Sequence, residues 1–111
     1  MEVRNHGVEP EMNRGFLQIL VLLVLEKSMY GYQMIKSFLD LGYPVEENTL
    51  YPLLRRLEKN GWIKSHWEIE KERPKKYYII TDDGKLARSS FLDIWKRQQK
   101  IIEFLIMEVE K

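Results

Sequence analysis

The side chains in this chain best suited to chemistry are hydrogen-bonding and cationic groups that share one helical face. Between Glu46 and Gly61 (EENTLYPLLRRLEKNG), Leu50, Leu53, Leu54 and Leu57 recur at i, i+3, i+4 and i+7 and make one apolar face. The opposite face carries Asn48, Thr49, Tyr51, Pro52, Arg55, Arg56 and Lys59. Amide, hydroxyl and guanidinium groups arranged this way suit phosphates and base edges in a major groove. An ordinary amphipathic surface helix has the same period, so the nucleic-acid reading depends on what surrounds the segment. Acidic Glu46 or Glu47 opens the helix and Gly61 closes it as a left-handed cap. Pro52 opposes it, since an internal proline costs about 3 kcal/mol and bends the axis.

Other chemistries find little support. Cysteine is absent, which excludes disulfides and thiolate metal sites. His6 and His66 lie too far apart in sequence for a metal-ligand motif, and His66 reads as a solvent-facing strand residue. No glycine-rich phosphate loop, internal repeat, low-complexity tract or nucleophile–base set is present, so neither an enzyme nor a cofactor or metal requirement is expected. The run Phe16–Leu25, interrupted by Gln18, is far short of the roughly 20 residues that span a bilayer. No signal-peptide pattern is visible, and a cytoplasmic protein is the expectation.

The 111 residues suit one domain, and 44% hydrophobic with 32% charged residues describes a globular chain. A net charge of +1 implies no partner, but its distribution is uneven. From Asn48 to Lys76 eight Lys/Arg face four Glu, an excess of four cations that leaves the remainder at −3. A basic middle fits a polyanion-binding face, although a solvated charged surface would look similar.

The elements that must position this face follow in order. Residues 1–11 are polar, with Gly7 and Pro10, and read as a flexible arm. A first helix is expected from about Asn13 to Lys27, apolar nearly all round from Phe16 to Leu25, so a second subunit should cover part of it. A turn at Ser28–Gly31 leads to a second helix ending near Leu41, with Ile35, Phe38 and Leu39 as its core face. Gly42-Tyr43-Pro44 stops it. The Glu46–Gly61 helix then completes a helix-turn-helix outline. Trp62–Ile69 alternates, with Ile63, Trp67 and Ile69 inward. Glu70–Pro74 reads as a charged loop and Lys75–Ile80 as a second strand, making a two-stranded wing.

Thr81 caps a last helix, with Asp82 and Asp83 in its first turn. The helix could run to Lys111, about 45 Å at 1.5 Å per residue. Phe91, Trp95, Gln98, Ile102, Leu105 and Val109 form a heptad seam, widened by Ile94, Ile101 and Phe104. The seam, joined by Phe16 and Leu20 of the first helix, points to a homodimer interface; a helix folding back over its own domain is the other arrangement. The expected fold is mainly α: a winged helix-turn-helix over 12–81 with a dimerisation helix over 82–111.

Three segments, MYGYQMI (Met29–Ile35), NTLYPLLRRLEKNGWI (Asn48–Ile63) and RPKKYYIIT (Arg73–Thr81), resemble the PadR family of bacterial transcription regulators. They stand in the family's order, and the resemblance extends from about Met12 to Val109. The compact size is similar to the short branch, whose C-terminal part is a single dimer helix. The resemblance implies a homodimeric repressor of a neighbouring gene, with the third helix in the major groove and the wing on the adjacent backbone or minor groove. On this chain it assigns Asn48, Thr49, Tyr51, Arg55 and Arg56 to DNA from the helix, and Arg73, Lys75, Lys76 and Tyr77 from the wing. Many members carry glycine before Arg-Pro in the wing, where this chain has Glu72.

In the multidrug-sensing branch a tryptophan of the last helix stacks planar aromatic compounds against its twin. Trp95 is similar to that tryptophan, and the resemblance places Gln18, Ile19, Leu92 and Gln99 around the same pocket; the residue at 99 is an acid in those relatives. The expected function is thus sequence-specific binding of a pseudo-palindromic duplex, relieved by a ligand at the dimer centre. A winged-helix module that binds protein through the same faces is the competing expectation.

Overall fold

Phe16–Val24 forms the first helix, α1, which buries Leu17, Val21 and Leu22 together with Leu25 at its end. The structure is a computed structural model that describes residues 12, 13 and 15–111. The arm expected at 1–11 lies outside them. α1 is shorter than the Asn13–Lys27 expected, because Gly15 at its start sits at φ 82° and the chain turns after Val24. Its outer side rests partly on the last helix, while Phe16 and Leu23 stay exposed.

The expected turn at Ser28–Gly31 contains a short strand, β1 (Met29–Tyr30). It feeds directly into α2 (Gly31–Asp40), opened by a capping box in which the Tyr30 amide donates to Gln33 Oε1 at 3.0 Å. The face of α2 that reaches the core is Gly31, Met34 and Phe38, whereas Leu39 is exposed. Met34-Ile35 and Phe38-Leu39 make an apolar stripe two residues wide, and the direction of docking decides which edge is covered.

α3 spans Glu47–Lys59 and continues through Pro52. Leu50, Leu53, Leu54 and Leu57 are all buried, as their spacing predicts. A Schellman motif ends it: the Trp62 amide donates to the Leu57 carbonyl at 3.0 Å and the Gly61 amide to Glu58, with Gly61 at φ 80°.

β2 (Ile63–Glu70) and β3 (Arg73–Ile80) form a hairpin, and β1 pairs with the outer side of β3. The sheet therefore has three antiparallel strands in the order β1-β3-β2, one more than expected. The expected five-residue loop is a two-residue turn, Lys71-Glu72, both with positive φ (48° and 68°). Such a turn matches the right-handed twist of the strands it joins. Pairs Ile69↔Pro74 and Glu70↔Arg73 consequently extend the hairpin to its tip. Ile63 is buried, but Trp67 and Ile69, expected on the inner face, are 65% and 79% exposed because the hairpin outruns the core beneath it.

Thr81 caps α4 (Asp82–Val109), its Oγ1 accepting from the Gly84 amide at 3.0 Å and donating to the Gly61 carbonyl at 2.6 Å. The Thr81 amide also donates to the Trp62 carbonyl at 3.0 Å. Gly84 is buried at this joint, and a Cβ there would overlap the Trp62 carbonyl oxygen. Arg88 donates to the Leu22 carbonyl at 3.3 Å and to Glu26 Oε1 at 2.7 Å, clasping α4 to α1. Every residue from Asp93 to Lys111 is exposed, so α4 leaves the domain and does not fold back over it. The molecule is accordingly elongated, 62 × 34 × 21 Å.

Candidate nucleic-acid interface

Burial of the four leucines aims the other face of α3 at solvent. Asn48, Thr49, Pro52, Arg55, Arg56 and Lys59 are exposed there. Pro52 lacks the amide that would return a bond to the Asn48 carbonyl, which leaves that acceptor on the outer face of the helix. Tyr51 differs: it is half-buried, and its phenol lies over Gly31, where a Cβ would overlap the ring. Glycine at 31 is thus what lets α2 and α3 approach at this point. Burial, with Glu47 nearby, raises the Tyr51 pKa, so its hydroxyl remains a donor at neutral pH.

The wing residues divide between two strand faces. Lys76 faces α3, with Nζ 3.8 Å from Glu58 Oε1, while Ser65 Oγ donates to the other oxygen of that carboxylate. Glu58 therefore joins the end of α3 to both strands. Arg73, Lys75 and Tyr77 occupy the opposite face, as strand alternation requires. Lys75 lies 3.7 Å from Glu70 and 4.3 Å over the Tyr30 ring. Tyr77 donates to Glu70 Oε1 at 2.7 Å, which pushes its pKa up to about 12. Its ring stacks on His66 at 5.7 Å, and His66 Nε2 lies 2.9 Å from Glu68. Two wing cations, Lys75 and Lys76, are therefore already engaged by carboxylates, which a phosphate must displace.

Between α3 and the wing runs a groove of about 460 Å³. Tyr32, Tyr51 and Tyr78 meet Trp67, Lys75 and Lys76 there. Tyr30, Tyr32 and Trp67 were not among the residues anticipated for this face. The Tyr-Gly-Tyr of the MYGYQMI segment was the signal for the first two; Trp67 was hidden by the strand alternation that placed it inside.

The second anticipated site is a cavity of about 300 Å³ between α1 and α4. Gln18, Ile19 and Trp95 line it together with Phe16 and Phe91, but Leu92 and Gln99 do not. Phe91, at the head of the seam, packs edge-on against Trp62 at 5.6 Å within its own domain. Further along, Trp95, Ile102, Leu105 and Val109 are 45%, 52%, 54% and 85% exposed.

A reading helix held by a trihelical core and flanked by a β-hairpin defines a winged helix-turn-helix. Residues 19–90 match the transcriptional regulator PadR-like family. The chain is 37% identical to a PadR family transcriptional regulator from Eggerthella lenta, whose crystal structure superposes with a TM-score of 0.89 over 95% of this chain and 94% of that one. It is 32% identical over 108 residues to the uncharacterized protein X of Lysinibacillus sphaericus, covering 93% of this chain and 99% of that protein. It is also 28% identical over 78 residues to the transcriptional regulator Rv3488 of Mycobacterium tuberculosis, covering 69% and 73%. The chain belongs to the PadR-like family of transcriptional regulators and carries that family's winged-helix fold for DNA binding. Among the described residues no helix is long and apolar enough to cross a membrane.

Proposed function

We propose that this protein is a homodimeric repressor in which two copies join along α4 and present two α3 helices to a pseudo-palindromic duplex, about 34 Å apart. The observation that carries the reading is the exposed Asn48/Thr49/Arg55/Arg56 face of α3, held rigidly by a fully buried leucine stripe. Phosphate contacts from Arg73, Lys75, Lys76 and Lys59 supply affinity, and α3 supplies base choice. The dimer is supported by the exposed apolar side chains of α4, which no described residue of their own chain covers. A planar aromatic molecule in the Gln18–Trp95 cavity acts as inducer by favouring one spacing of the two heads over another.

Titration of the promoter upstream of its own gene at several salt concentrations tests this reading. Lys76→Ala should weaken binding on all sequences and flatten the salt slope by about one unit. Arg55→Ala or Arg56→Ala should cost roughly 1–3 kcal/mol and relax preference at particular bases. Equal losses on operator and random duplex for all three variants would remove the case for sequence readout by α3. Planar dyes that leave Trp95 fluorescence unchanged would remove the inducer site. The competing protein-binding module is favoured by the exposed Trp67 and Ile69 and by the carboxylates engaging Lys75 and Lys76. Absence of salt-dependent promoter binding would leave that module as the reading.

A further inference from the structure

We infer that the groove between α3 and the wing seats one sugar–phosphate strand of the bound duplex, and that Tyr32 and Trp67 contact that strand directly. The inference rests on the DNA-binding reading and adds two residues to it. Lys75 and Lys76 line the groove with several phenols and an indole. The Lys76 ammonium lies on the Trp67 and Tyr78 side, whereas that of Lys75 reaches over Tyr30 toward Glu70. Its length of wall joins three elements, the start of α2, the middle of α3 and the stem of the wing.

Charge and shape argue for a phosphodiester. Lys76 Nζ lies 6.0 Å from the centroid of the Trp67 ring and 5.6 Å from that of Tyr78, so its charge is held at the groove wall. The Tyr51 and Tyr78 phenols both have raised pKa values through burial, and they remain neutral donors across the working pH range. Neutral O–H donors beside the Lys76 ammonium suit a singly charged phosphodiester oxygen. Trp67 is 65% exposed although Ile63 of its own strand and Tyr78 of β3, on the same face, are buried, and Tyr32 is 57% exposed. The open Trp67 indole can pack against deoxyribose, and the open Tyr32 hydroxyl can donate to the adjoining phosphate. The Tyr51 phenol packs over Gly31, so this donor is already placed at the groove in the unbound chain.

The test uses the intact protein and the promoter duplex bound in the titration above. Tyr32→Phe should bind about tenfold more weakly on operator and random duplex, with an unchanged salt slope because no charge is lost. Trp67→Ala should weaken binding by a similar factor, Trp67→Phe should restore most of it, and both should melt like wild type because residue 67 is exposed. A methylphosphonate scan locates the phosphate. At one position per half-site the substitution and Tyr32→Phe should be non-additive, whereas elsewhere their effects multiply. Wild-type affinity for both Tyr32→Phe and Trp67→Ala, or multiplication of effects at every phosphate, overturns the groove assignment while the α3 reading stands. Failure of the wild type to bind any duplex overturns the reading itself.

Discussion

α3 and α4 are both amphipathic, yet they treat their apolar stripes in opposite ways. Leu50, Leu54 and Leu57 of α3 are fully buried by their own chain, and the polar face outside them is left for a ligand. Ile102, Leu105 and Val109 of α4 are half or more exposed over a rod of about 42 Å. A covered stripe tells of folding; an open one of this length supports the proposed association, because soluble monomers seldom leave so continuous an apolar face in water. The proposed function uses the polar side of one helix and the apolar side of the other.

The sharpest break in that comparison is a matched pair of truncations. Leu54→Ala should cost about 2–5 kcal/mol of folding free energy, read as a fall in the denaturation midpoint at any protein concentration. Leu105→Ala should instead leave a concentration-dependent midpoint and raise the dimer dissociation constant in sedimentation; a concentration-independent loss like that of Leu54→Ala would show that α4 folds onto its own domain. Gly84→Ala tests where the two helices meet. Its Cβ overlaps the Trp62 carbonyl, and overpacking there should cost about 1–3 kcal/mol.

Smaller effects refine the picture. Glu72→Gly removes a side chain at φ 68° and should add up to about 1 kcal/mol to the wing, seen as slower amide exchange across Glu70↔Arg73. The smallest is a pH effect at the α1–α4 clasp. The Arg88 hydrogen bond, then the Lys85 charge, lowers the Glu26 pKa from its ordinary 4.5. A depressed carboxylate stabilises the fold above that value and loses the contribution as pH falls through the lower folded one. Wild type should therefore outlast Glu26→Gln at neutral pH, and the two should converge below pH 4.5; a gap that persists in acid would mean that the clasp acts by packing alone.

Much of this was legible because period and capping are local. The leucine spacing of α3, Gly61 after it, and Thr81 before α4 with two aspartates in its first turn each depend on neighbours in sequence. β1 was not legible, since two residues become a strand only when Tyr77 and Tyr78 arrive to pair with them. The wing turn was hidden because Lys71-Glu72 lacks the Asn-Gly chemistry of a two-residue hairpin, and Pro74 suggested a loop. At the interface, Arg55 and Arg56 could be read from α3 alone. Trp67 and Ile69 could not, because alternation specifies a face without saying how far the core extends beneath it. Tyr51 shows the converse: the helical wheel places it outside, and Gly31 draws it half inside.

The joint at Thr81 and Gly84 has a mechanical consequence. Thr81 grips Gly61 and Trp62, the two residues that terminate α3, and Gly84 presses against the same backbone with no side chain between. α4 cannot pivot alone without breaking those hydrogen bonds. In the proposed dimer, a tilt of α4 would therefore carry the C-terminal end of α3 with it, as a crank turns its shaft.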